Sequence, residues 1–181
     1  MLHLVWVLNH VPKHGKKPDA FTFSNTLFKI GYRLVRITPL NDPQLVCRLD
    51  NALFLGMAAF ITTFLVGLGC KRFNSPLLAE LIRSATEKCR GGDKEYQEIL
   101  LWTLSIGSAS VFNALDDGWL IPKTMEITIA LGLNTCEDML RTLSRFPWVN
   151  SVHDQSGQAL WQTISLSYEP LNWIPDDLSL L

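Results

Sequence analysis

The side chains able to do chemistry are few, and their spacing serves it poorly. The histidines are His3, His10, His14 and His153. His10 and His14 have the i, i+4 spacing at which two imidazoles on one helix face share a metal ion. Pro12 lies between them and no Glu accompanies them, so the spacing reads as an accident of a loop. His153 is followed directly by Asp154, which suggests an acid–base pair, but adjacent residues on a helix do not face each other. Asp116 and Asp117 could act as paired carboxylates; standing before Gly118, they read better as a solvated turn and helix cap. Cys47, Cys70, Cys89 and Cys136 contain no C-x2-C pair, so no zinc cluster can be drawn from them. They read as buried, reduced thiols of an intracellular protein. No nucleophile elbow, phosphate-binding loop, dinucleotide fingerprint or zinc-protease motif occurs. The six tryptophans could line a ligand pocket, although tryptophans at helical positions belong more often to a core. We therefore assign no catalytic, cofactor-binding, metal-binding or DNA-binding residue and no cofactor, and the enzyme question leans to no.

The elements that would position any such group are helices. Ile99–Leu115 carries no charge; Ile99, Trp102, Ile106 and Ala109 fall at helical spacing, and Leu100, Leu104, Gly107 and Val111 on the neighbouring stripe. A helix apolar around most of its girth is a central, buried one. Its small second half, Gly107 to Ser110, would let another helix approach closely. Asn51 to Cys70 is also uncharged for twenty residues and is followed by Lys71 and Arg72. That is long enough for a membrane span, but the other apolar helices offer it a place in a core, and a core helix is the reading we take.

Around these two, Leu2 to Leu8 is apolar and fits a helix end or a strand by pattern alone; a helix cut off at its start is the reading we take. Pro12 to Pro18 is a basic, solvated loop. Phe21 to Val35 is amphipathic, with Phe23, Leu27, Ile30 and Leu34 on one face, and Thr38 to Pro43 breaks it. Ser75 to Arg90 would bury Leu77, Leu78, Leu81, Ile82 and Ala85, start with Pro76 in its first turn and end at Gly91 and Gly92. A further helix begins near Trp119 to Pro122, with the proline in its first turn, and ends at Leu131 and Gly132. Thr135 to Asp138 has capping-box form ahead of Met139, Leu140, Leu143 and Phe146, and Pro147 stops that helix. The last helix spans about Ser156 to Leu166 and buries Leu160, Trp161 and Ile164; residues 167–181 form an irregular tail. No strand alternation is visible. The expectation is all-α, a single domain over residues 1–181, with about seven helices around a buried central helix at 99–115. With 48 % apolar residues, 18 % charged and a net charge of −1, the chain is neither disordered in type nor a nucleic-acid or anionic-membrane binder as a whole.

One stretch carries a resemblance. Leu100, Leu101 and Trp102 lead to Gly107; an acidic turn precedes Trp119; Leu131, Gly132 and Leu133 follow. Thr135, Glu137 and Asp138 open a helix that closes with Leu143, Phe146 and Trp148, after which come His153, Asp154, Gly157, Leu160 and Trp161. This resembles the C-terminal part of the regulatory domain of fungal binuclear-zinc-cluster transcription factors, with Leu4 to Arg72 fitting the preceding helices less sharply. His153 stands where that family commonly has cysteine. The six-cysteine cluster, basic linker and coiled coil are missing, so the family's DNA-contacting residues map to nothing here. The resemblance implies a non-catalytic regulatory module in nucleus or cytoplasm, with a protein partner or a second copy of itself, a small-molecule-sensing pocket as an option, and neither nucleic acid nor membrane bound directly. The alternatives are a biosynthetic enzyme or ligand-binding protein on a reused helical scaffold, which would gather His153, Asp154 and Asp116 in one pocket, and a small protein anchored through Asn51 to Cys70.

Overall fold

The helix at the middle of the molecule is α5, Lys94–Ser110. Every residue from Glu98 to Gly107 is buried, as is Tyr96. The computed structural model describes residues 2–10, 19–37, 48–67, 75–87, 93–113 and 116–167. These hold eight helices and, among the described residues, no strand: α1 (Leu2–His10), α2 (Ala20–Ile37), α3 (Arg48–Gly67), α4 (Pro76–Glu87), α5, α6 (Asp117–Ala130), α7 (Cys136–Leu143) and α8 (Asn150–Ser167). The all-α bundle about a buried, nearly chargeless helix stands. Helix α5 begins earlier than the uncharged run, because Asp93 caps it by accepting from the Tyr96 N–H at 3.0 Å. It also ends earlier. Val111 is the C-cap, Phe112 and Asn113 are not helical, and Ala114 and Leu115 lie outside the described residues.

The uncharged segment beginning at Asn51 forms most of α3, and α3 makes its widest contact with α5. Ala52, Phe54, Leu55, Gly56, Ala59, Phe60 and Phe64 are buried. Among the described residues no helix is long and apolar enough to cross a membrane. The two helices run in the same direction: the Thr103 hydroxyl donates to the Ala52 carbonyl and the Ser110 hydroxyl to the Ala59 carbonyl, both across an offset of 51 residues. Gly56 permits this approach, for a Cβ there would overlap the edge of the Trp102 ring and the Thr103 hydroxyl. The small end of α5 also lies on α3, where the Thr62 hydroxyl donates to the Ser110 hydroxyl at 2.8 Å.

Helix α4 packs on both α3 and α5. It buries Leu78, Ile82 and Thr86, with Leu81 and Ala85 half-buried, but Leu77 is exposed, contrary to the expected face. Helix α6 packs on α5 and α8. It starts at Asp117, before the expected Trp119 to Pro122, so Pro122 sits within the helix and not in its first turn. A proline there denies a hydrogen bond to the carbonyl four residues back, which belongs to exposed Gly118 and can turn to water. Gly132 closes α6 in the left-handed region at φ 67°, its N–H donating to Ile129 and that of Leu133 to Thr128, the arrangement glycine favours after a helix.

Thr135 caps α7 by accepting from the Asp138 N–H. Helix α8 starts at Asn150, six residues before the expected Ser156. Helix α1 is tied in by Asn9, whose amide donates to the Trp148 carbonyl at 2.8 Å and accepts from the Asn150 N–H at 3.0 Å. Helix α2 rests on α3 through Phe23, Leu27 and Leu34, with Phe23 edge-on to Phe64. The basic loop 12–18, the breaker 38–43, the glycines 91–92 and the tail beyond Ser167 lie outside the described residues.

Candidate functional site

The groups singled out for chemistry are absorbed into structure or lie apart. His153 is fully buried in α8, between Phe60, Phe64 and Trp148. Its Nδ1 accepts from the Val149 N–H at 2.9 Å, which satisfies a backbone donor at the start of the helix. That bond leaves the proton on Nε2, which faces the Thr63 hydroxyl at 3.2 Å, and Thr63 donates onward to the Phe60 carbonyl. The ring is a neutral, satisfied bridge between α8 and α3. Burial holds its pKa down at about 4, from an ordinary 6.5. Asp154 turns away from it and accepts from the Trp148 indole N–H at 2.7 Å. Asp116 accepts from the Asn113 N–H at 2.9 Å and so pins the turn before α6, while Asp117 is exposed. His153, Asp154 and Asp116 therefore do not converge on one cavity. His10 ends α1, its ring stacked on Trp6 at 4.9 Å; His14 and the side chain of His3 lie outside the described residues.

Cys136 is half-buried, and burial followed by the nearby Asp154 charge pushes its thiol up from its ordinary value, so it stays protonated. Cys47, Cys70 and Cys89 lie outside the described residues. Among the described residues no three of His, Cys, Asp and Glu could hold a metal ion together. Trp102 and Trp148 are buried, Trp119 and Trp161 half-buried, Trp6 is exposed, and Trp173 lies outside the described residues. Glu98, just outside the uncharged run, is buried and paired with Arg145 across 47 residues of sequence.

Among the concave places between the described residues, three differ in chemistry. A charged hollow of about 230 Å³ has Lys94, Arg141 and Arg145 around Glu98, with Arg141 held by Glu137 and Asp138. A hollow of about 260 Å³ lies between the end of α6 and α8, walled by Met125, Ile129, Leu133, Trp161 and Ile164, with Asn134 and Thr128 at its polar edge. A groove of about 380 Å³ lies between α2 and α3 and is almost wholly apolar, walled by Leu27, Phe28, Tyr32, Ile61 and Leu65.

The third is continuous with an apolar stripe the sequence reading passed over. Phe21, Phe28, Tyr32 and Val35 are exposed by 79 %, 63 %, 66 % and 51 %. Their spacing of seven, four and three residues places them on one side of α2. The helix thus has two apolar faces, one turned to α3 and one turned outward. Arg36 stacks over Tyr32 at 5.8 Å, at the edge of the outward face. This arrangement can bind apolar and aromatic side chains; it presents no nucleophile or base. Compared with protein-family models, curated proteins and solved structures, the chain matches none of them.

Proposed function

We propose that the chain is a non-catalytic helical interaction module, of the regulatory kind suggested by the resemblance of Trp102–Trp161 to the fungal transcription-factor domain, acting in nucleus or cytoplasm. The observation that carries this reading is the outward stripe Phe21, Phe28, Tyr32 and Val35, joined to the groove between α2 and α3. Contiguous exposed apolar surface of this kind marks sites of protein contact, and a helix face with anchors at these spacings is a usual way to present one. The test is to tether the whole chain to a heterologous DNA-binding module upstream of a reporter gene. A change in output that Phe28→Asp reduces at least about fivefold supports the reading, in line with the loss of a central anchor. A folded fusion that leaves output unchanged overturns it.

A small-molecule role beside the protein contact is favoured by the hollow between α6 and α8, where Trp161 meets Met125 and Ile164. Ligand entry there would change Trp161 fluorescence, and Met125→Trp should abolish that change by filling the space.

A further inference from the structure

We infer that the partner of the α2 face is a second copy of this chain, with the two α2 helices packed antiparallel about Phe28. The inference rests on reading this face as an interaction surface. Three observations lead to it. The first is the self-matching layout of the stripe. Phe21 and Val35 stand seven residues either side of Phe28, and Ser24 and Tyr32 four either side. Reversing the helix about Phe28 therefore sets Phe21 beside Val35 and small Ser24 beside large Tyr32, while Phe28 meets Phe28. A two-fold axis requires a surface of this kind, complementary to itself.

The second observation is the placement of charge. Lys29, Arg33 and Arg36 all lie in the C-terminal half of α2, and Asp19 stands at its start. Parallel pairing would set the three cations beside their own copies. Antiparallel pairing sets each cationic half beside the partner's neutral half and its Asp19, and opposes the two helix dipoles.

The third is area. Three aromatics exposed by about two-thirds, each with on the order of 200 Å² to bury, give roughly 400 Å² per copy, and Val35 with the groove rim brings the total for two copies near 1,000 Å². That suits a specific but weak pair, one that forms at micromolar concentration and dissociates on dilution.

The experiment is sedimentation equilibrium of the full chain across about a hundredfold range of concentration, together with oxidative cross-linking of single-cysteine additions mapped by mass spectrometry. The expected result is a reversible monomer–dimer equilibrium that Phe28→Asp weakens by at least about thirtyfold, with circular dichroism unchanged because Phe28 is largely in water. Tyr32→Glu should act in the same direction. Phe28→Cys should cross-link to its own copy, and Phe21→Cys to Val35→Cys in a mixture but not to itself. A monomer at every concentration, a dimer indifferent to both substitutions, or self-linking of Phe21→Cys as readily as Phe28→Cys overturns the inference. A monomeric chain whose reporter effect is lost with Phe28→Asp overturns self-pairing while the module reading stands, with another protein on the face. A dimer of the expected geometry without any reporter effect does the reverse.

Discussion

His153 shows how a residue that could do chemistry is used for architecture. Its neutral ring satisfies the Val149 N–H and the Thr63 hydroxyl, and protonation at Nδ1 would set one N–H against another. Burial lowers its pKa to about 4 in the folded chain, against about 6.5 when unfolded. Between those values the unfolded chain binds the extra proton. The contribution to stability is therefore whole above pH 6.5 and is lost as the pH falls towards 4, on the order of 3 kcal/mol in all. Urea titrations at pH 7 and pH 4.5 should show this loss, and His153→Phe should flatten that part of the profile while lowering stability at pH 7 by about 2 kcal/mol, because two polar groups lose a partner. Arg145→Ala should cost about 2 kcal/mol by leaving the buried Glu98 carboxylate without its cation; Arg145→Ala with Glu98→Leu should recover most of that. Neither environment could be read from sequence. Two of the three rings around His153, Phe60 and Phe64, come from α3, about ninety residues away, and the buried Glu98 finds its cation in an arginine 47 residues on.

At the scale of elements, apolar periodicity located the amphipathic helices among the described residues, since burial of an apolar stripe is a local pattern, whereas α1 was helix or strand by pattern alone and α3 showed itself by its length without charge. The boundaries depended on groups outside the stripe. Asp93 starts α5 ahead of its uncharged run, and His153 reaches back to Val149 to start α8 six residues early. Leu77 looked buried because a helical face drawn from sequence is wider than the face α3 and α5 cover. The outward stripe of α2 was legible in its spacing, but only one apolar face of that helix was read. The packing of α3 on α5 turns on Gly56. Gly56→Ala should destabilise by about 1 to 3 kcal/mol, because the methyl meets the Trp102 ring and Thr103. Gly118→Ala, in the first turn of α6 with open space around it, should stabilise by up to about 1 kcal/mol. Thermal unfolding of the two variants checks both signs.

For the whole molecule, the parallel pair α3 and α5 forms the core, α4, α6, α7 and α8 pack around it, and among the described residues α2 rests on α3 by its inner side. This division separates stability from contact. Substitutions on the α2 outer face should leave unfolding nearly unchanged and act on association, whereas substitutions at Trp102 or Phe60 should unfold the chain before any function can be read. We propose that the outward surface of α2 is what this fold presents to a partner. The measurement that tests it most directly is the tethered reporter with Phe28→Asp, read beside the circular dichroism of the same variant. The account predicts an intact helical spectrum with the regulatory effect reduced at least about fivefold. An intact spectrum with the effect undiminished would contradict it.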